Sequence, residues 1–226
     1  MRSRNQSRAG GVCAIAGSTL LFIGTYLHPL GADPNDAQAA FAEYATNRLW
    51  IASHLTQLAG VALMTTAILL LARRLEAAGD NGWAHLAAGA AIASLAVAAA
   101  LQAVDGVALK RMVDTWAAAP ASEKDAAFRT AFAVRQLEIG LASMVSLLLG
   151  ATATLSGLAL RADRTYPAWL GMIAVLGGIP TMVAGVVMAY TGFSEVEMWI
   201  NMPANSLLLI WMLILGGFMW RRPEPR

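Results

Sequence analysis

The sequence is poor in charged residues and in cysteine. Only 13% of its 226 residues are charged and 58% are hydrophobic, whereas soluble domains carry roughly 25% charged residues. This composition excludes an ordinary soluble domain. The single cysteine, Cys13, excludes an intrachain disulfide. The chain also has no phosphate-binding loop, no dinucleotide fingerprint and no HExxH or CxxC metal motif, and its small net charge of +2 predicts no nucleic-acid partner.

Long apolar runs are what the chain has instead. A helix needs roughly 20 apolar residues to cross a membrane, and six runs of that length occur. The sequence therefore predicts an all-α, polytopic integral membrane protein in which residues 1–226 form one six-helix domain. The predicted spans are about 12–30, 49–72, 83–109, 131–160, 167–191 and 199–220.

Two polar segments separate some of these spans. Residues 33–47 predict a short amphipathic helix, because Asp33, Pro34 and Asp36 form a typical helix start. Residues 110–130 predict a polar connection in which Ser122 and Asp125 resemble a capping box. The alanine-rich third span allows close packing, which predicts a central place for it in the bundle.

Basic residues predict the orientation, because cytoplasmic segments of membrane proteins carry more of them. With the N-terminus inside, ten lie on the cytoplasmic side: Arg2, Arg4, Arg8, Arg73, Arg74, Arg161, Arg164, Arg221, Arg222 and Arg226. Five lie outside: Arg48, Lys110, Arg111, Lys124 and Arg129. Both termini are therefore predicted to be cytoplasmic, with the two amphipathic segments on the outer side of a bacterial inner (plasma) membrane.

Polar residues inside the spans converge at one depth. Such residues are costly in hydrocarbon and are candidates for function. At about 1.5 Å per residue, most of them lie roughly 6–9 Å below the outer surface, and spacings of three or four residues put them on common helix faces. We expect an outer pocket, under the two amphipathic segments, whose ligand-binding residues are His54, Gln57, Gln102, Asp105, Arg135, Glu138, Asn201 and Asn205. Gln136 belongs to the same polar stretch as Arg135.

The predicted pocket has one negative charge left over. Arg135 can neutralise only one of Asp105 and Glu138. The other carboxylate needs a proton, an imidazolium from His54 or His28, a bound cation or access to water. The pocket is therefore predicted to be protonatable, and such sites are candidates for function.

The leading functional hypothesis is a non-enzymatic membrane protein whose outer pocket binds a small molecule, a lipid or an ion. It would act as a carrier, a sensor or an accessory subunit, with the bilayer, a lipophilic ligand or a cation, and a second copy or other subunits as partners. The rival hypothesis is an enzyme for a lipidic or quinone-like substrate, with Glu138 or Asp105 as acid/base and His54 as partner.

The same polar residues permit three further interpretations. Arg135, Glu138 and Asp105 could form a purely structural salt-bridge network. The leading hypothesis needs no cofactor, but His28, His54, Asp105 and Glu138 have the ligand chemistry for zinc or iron. A single b-type haem held by His28 and His54 is the third interpretation.

Overall fold

The computed structural model describes residues 2–29, 31–79, 81–163 and 165–221, and these form helices and short connections with no strand among them. Six of the seven helices are long and apolar enough to cross a membrane, which confirms the predicted all-helical, multi-pass architecture. The helices are α1 (Arg2–Tyr26), α2 (Ala37–Thr46), α3 (Trp50–Ala78), α4 (Gly82–Ala118), α5 (Lys124–Ala162), α6 (Ala168–Thr191) and α7 (Glu195–Arg221). The short helix α2 is the exception.

Part of the topology prediction falls on residues that the structure does not describe. Arg164, Arg222 and Arg226 lie outside the described residues, as do the side chains of Arg2 and Arg4 and the predicted end of the first span at residue 30.

The six long helices pack as a ring in chain order. α1 packs on α3, α3 on α4, α4 on α5, α5 on α6 and α6 on α7, and α7 closes the ring against α1. The described ends of α1, α4 and α6 and the beginnings of α3, α5 and α7 lie at one end of the ring, which we call the Trp50 end. A ring of this kind leaves space at its centre.

Glycine permits the closest approach in this ring, between α5 and α6. A Cβ atom on Gly150 would lie 2.5 Å from the backbone oxygen of Gly178, and one on Gly157 would lie 2.5 Å from that of Gly171. In a membrane the hydrophobic effect does not drive helices together, so helices associate through the close packing that such small residues allow. The two pairs lie seven residues apart on each helix, so they hold α5 and α6 together over about two turns.

Several predicted helix boundaries differ from the structure. α2 starts at Ala37, because the Asp36 side chain accepts hydrogen bonds from the backbone N–H groups of Gln38 and Ala39, at 3.1 Å each. The helix of the third span continues through Lys110–Ala118. The predicted capping box is wrong, because Glu123 precedes α5 without a side-chain cap. Helix α4 contains a π-helical turn at Ala103–Leu109 that the sequence did not indicate.

The predicted central position of α4 is also wrong. Only 22% of its most apolar stretch is buried, against 33–39% in the other five long helices. Ile92 and Leu86 are both more than half exposed. Its buried alanines pack on α3 and α5 along one side only. These small residues therefore let α4 pack closely on its two neighbours, although α4 is not central in the bundle.

Two buried clusters form the core. The larger contains Leu71, Leu160, Leu170 and Leu215 and lies away from the Trp50 end. The smaller, which we call the aromatic cluster, joins α2, the start of α3, the last part of α4 and the first turns of α5. Its aromatic residues are Phe41, Tyr44, Trp50, Trp116 and Phe128, with neighbouring ring centroids 4.3–6.3 Å apart. This cluster covers the Trp50 end, directly beside the polar residues of the candidate site.

Candidate functional site

Polar side chains from α3, α4, α5 and the segment after α1 meet at the Trp50 end. His54 lies one turn into α3, Asp105 lies in the π turn of α4, and Arg135 and Glu138 lie on α5. Each of these four residues is at most 8% exposed. His28, which follows α1, is half-buried. Five ionisable groups therefore share a small buried volume.

The imidazole of His54 lies between oxygen atoms on both sides. Its Nδ1 is 2.7 Å from the backbone oxygen of Trp50, and its Nε2 is 2.9 Å from Oδ2 of Asp105. A backbone carbonyl can only accept, so a hydrogen on Nδ1 would be donated to it. The hydroxyl of Ser53 also lies 3.1 Å from Nδ1. Nε2 and the Asp105 carboxylate face each other directly.

Trp50 and the π turn fix this pair. The indole Nε1 of Trp50 donates to the backbone oxygen of Asp105 at 3.1 Å, and the Trp50 ring packs against His54 with centroids 4.6 Å apart. One residue therefore holds both the imidazole and the turn that carries the carboxylate. π-Helical turns are found frequently at functional sites.

His28 completes a cluster of three possible metal ligands. Its Nδ1 is 2.9 Å from the backbone oxygen of Pro29, and its ring lies 5.1 Å from that of His54 and 4.8 Å from that of Trp50. Burial lowers the pKa of the His28 imidazole; the Asp105 carboxylate opposes this, and positive charge at His54 and Arg135 adds to it. Burial therefore favours the neutral form of His28.

Ligand atoms of His28, His54 and Asp105 all lie within 4.8 Å of one another. Both histidines direct Nδ1 to a backbone carbonyl, so Nε2 is the nitrogen that each could offer to a metal ion; that of His54 already faces the Asp105 carboxylate. Oδ1 of Asp105 is buried and has no hydrogen-bond partner among the described residues. Two imidazole nitrogens and one carboxylate therefore converge, with one carboxylate oxygen still unpaired.

The second carboxylate has a different partner. The guanidinium of Arg135 donates to both oxygens of Glu138, at 2.9 and 2.7 Å, and to the backbone oxygen of Pro34 at 3.1 Å. It also lies over the rings of Tyr44 and Phe193, at 5.6 and 5.0 Å. Arg135 thus neutralises Glu138, and His54 is the partner of Asp105.

Tyr44 stands between these two pairs. Burial raises the pKa of Tyr44 to about 12; the Arg135 cation lowers it, and the carboxylates of Glu138 and Asp105 raise it. The charges of Arg135, Glu138 and Asp105 therefore all affect the pKa of Tyr44, so the two ion pairs belong to one electrostatically coupled site. No spacing or motif in the sequence indicated that Tyr44 belongs to it.

No match was found when the chain was compared with protein-family models, curated protein sequences and solved structures.

The other predicted ligand-binding residues lie apart from this cluster. Nε2 of Gln102 donates to Oε1 of Gln57 at 3.2 Å, so these amides pair with each other. Asn201 and Asn205 also pair, at 2.5 Å, and line a cavity in the centre of the ring. Gln136 is exposed. The structure thus divides the single predicted pocket into the ionisable cluster, an amide pair and the central cavity.

The geometry also favours one of the predicted cofactors, a single metal ion, over a haem. Glu138 is bound by Arg135 and does not belong to the group of possible metal ligands. A haem held by His28 and His54 would have to lie between their rings, yet both rings pack against Trp50 and their centroids are only 5.1 Å apart. This arrangement fits a single small cation and leaves no gap for a porphyrin.

Proposed function

We propose that this chain is a multi-pass protein of the bacterial plasma membrane, with both termini in the cytoplasm and the Trp50 end facing outwards. The six membrane-length helices and the excess of arginine at the opposite end support this orientation. Aromatic residues at the Trp50 end fit a position at the membrane surface.

The proposed function is the binding of a divalent transition-metal cation, of the zinc or iron(II) type, at the Trp50 end. One observation carries the proposal. One ring nitrogen of His28, one of His54 and a carboxylate oxygen of Asp105 lie within 4.8 Å of one another, while Nδ1 of each histidine lies against a backbone carbonyl. Outer hydrogen bonds of this kind orient histidine ligands in metal sites.

The donor set selects the class of cation. Imidazole nitrogen suits zinc, iron, copper and nickel, whereas magnesium and calcium prefer sites made of oxygen alone. A set of two nitrogens and one carboxylate fits zinc or iron(II). In this role the protein is a carrier, a sensor or an accessory subunit rather than an enzyme, with the cation as its ligand.

Metal stoichiometry tests the proposal. The chain is purified in detergent, stripped with a chelator, loaded with Zn²⁺ or Fe²⁺, desalted and measured by elemental analysis. We expect about one ion per chain, as in a single three-ligand site. The variants His28→Ala, His54→Gln and Asp105→Asn should weaken binding by roughly tenfold or more.

The chain supplies its own control. His85 is exposed and lies at the end of the ring opposite Trp50, so His85→Ala should bind the metal normally. His28→Ala changes a half-buried residue outside the helices, and its thermal unfolding should match that of the native chain. Absence of stoichiometric metal, or equal loss in His85→Ala, would contradict the proposal.

A second candidate function is a metal-dependent enzyme for a lipidic or quinone-like substrate, with Asp105 and His54 in the metal centre. The observation in its favour is that three protein ligands are present, the number used in catalytic zinc sites that keep a position for water or substrate. Adding azide to the cobalt(II)-substituted protein tests for that position. A changed visible spectrum would support the enzyme, and an unchanged spectrum would eliminate it.

A further inference from the structure

A cavity of about 550 Å³ occupies the centre of the ring, between α1, α3, α4, α5 and α7. Small-molecule sites commonly measure about 300–1,000 Å³. The lining is mostly apolar and includes Val61, Ile68, Leu149 and Met212. None of the described lining residues is Asp, Glu, Lys, Arg or His, so they offer no partner for a charged ligand.

The cavity reaches the side of the ring between α1 and α7. Phe22 and Tyr26 of α1 and Met202 of α7 line it, yet they are 61%, 78% and 62% exposed. A side chain can both line the cavity and be exposed on the outside of the protein only if it lies at the rim of an opening. In a membrane this side faces lipid, so a ligand would enter from the hydrocarbon.

Two buried residues in the lining carry a hydroxyl group with no hydrogen-bond partner among the described residues. Most buried serines and threonines of this chain bond to a backbone oxygen, as Ser18 and Thr181 do at 2.8 Å. Thr65 and Ser146 are 6% and 8% exposed and line the cavity, but neither forms such a bond to any part of the chain that the structure describes. Hydroxyl groups that line the cavity without a partner can donate to a ligand, so these two groups indicate a ligand with an oxygen acceptor.

We propose that this cavity binds an uncharged lipophilic molecule that carries a carbonyl group, with the carbonyl oxygen accepting from Thr65 or Ser146 and the apolar body lying against the lining. Two sources share this chemistry, the ester carbonyl of a neutral lipid and the carbonyl of a quinone. The site is separate from the His28, His54 and Asp105 cluster, and the proposal does not depend on metal binding.

Saturable quenching tests the proposal. The full chain in a detergent without carbonyl groups is titrated with a short-chain benzoquinone, and tryptophan fluorescence is followed, because Trp211 lines the cavity. We expect saturable quenching in the native chain. Thr65→Val keeps the side-chain shape but removes the donor, and should weaken binding by roughly threefold to tenfold, the value of one hydrogen bond. Ser146→Phe fills the cavity and should leave only non-saturable quenching.

Thr66→Val is the matched control, because Thr66 is exposed, bonds to Ala62 and does not line the cavity.

Displacement of the quinone by dioleoylglycerol assigns the site to ester lipids, and failure to displace it assigns the site to quinones. The proposal is overturned if the native chain shows no saturation, or if neither Thr65→Val nor Ser146→Ala binds more weakly than Thr66→Val. It is also overturned if decane displaces the quinone as well as a carbonyl compound does. All variants should retain the native metal stoichiometry and thermal unfolding, so failure here is distinct from failure of the metal site.

Discussion

The side chain of His54 lies directly against the backbone of Gly106, in the π turn of α4. A Cβ atom on Gly106 would lie 2.6 Å from Cβ and 3.0 Å from Cγ of His54. Those are the least mobile atoms of the imidazole side chain, so the neighbour cannot simply swing away. The absence of a side chain at position 106 is what brings His54 to Asp105.

Gly106→Ala should therefore disrupt the ligand cluster without altering a ligand. The added methyl group would push His54 away from Asp105, and we expect zinc affinity to fall by roughly tenfold, as for loss of a group that orients a ligand. Gly89→Ala is the control, because Gly89 lies on the same helix and a Cβ atom there would meet nothing within 4 Å. Equal zinc affinity in the two variants would show that this contact does not position His54.

Breaking the Arg135–Glu138 pair should be strongly destabilising. Both residues are 3% exposed, and removal of one partner from a buried pair costs about 3–5 kcal/mol because the other charge remains. We expect this loss in the free energy of unfolding for Glu138→Gln, and a smaller loss for the double variant Arg135→Leu, Glu138→Leu. Asp125→Asn breaks an exposed pair with Arg129 and should cost less than about 1 kcal/mol.

The same glycine-to-alanine change should have opposite effects at two positions of α5. At Gly157 a methyl group would lie 2.5 Å from the backbone oxygen of Gly171, which must force α5 and α6 apart. At Gly140 it would meet nothing within 4 Å, and alanine stabilises a helix by about 0.5–1 kcal/mol over glycine. Thermal unfolding should move down for Gly157→Ala and up for Gly140→Ala; a downward shift of equal size in both would count against the close crossing.

Tyr44 should make stability depend on pH in alkali. An unfolded tyrosine has a pKa of about 10, and burial raises the pKa of Tyr44 to about 12. The folded chain therefore holds this proton more tightly, so its contribution is complete below pH 10 and is lost as pH rises towards 12. The loss amounts to about 2–3 kcal/mol. Unfolding followed across that window should show the slope in the native chain and in Tyr190→Phe, which alters an exposed tyrosine, but not in Tyr44→Phe.

The number and type of the helices could be predicted because hydropathy is a property of continuous sequence. Helix ends could not be predicted as well. Lys110 suggested that the third span stops, yet its Nζ bonds to the backbone oxygens of Tyr44 and Ala45 and to Asp114, at 2.7–3.1 Å. A charge with such partners can continue a helix. The polar residues therefore indicated where the predicted membrane surface begins, but not where the helix ends.

The candidate site was predictable only where it is local. Arg135 and Glu138 meet because residues three apart share a helix face. The pairing of Asp105 with His54 depends on how α3 and α4 pack, which spacing does not determine. Depth along a helix placed Asn205 level with His54, but depth does not say which way a side chain points, and Asn205 lines the central cavity.

The π turn at Ala103–Leu109 has a consequence for how this chain tolerates change in length. Such a turn takes up one residue more than an α-helical turn does. Converting this segment to a regular α-helix with all its residues kept would rotate Lys110–Ala118 by about 100° around the helix axis. Trp116 would then leave Phe41 and Phe128, and Asp105 would leave His54. The π turn therefore holds the ligand cluster and the aromatic cluster in register, and a one-residue insertion or deletion between Leu109 and Trp116 would rotate Trp116 away from both rings.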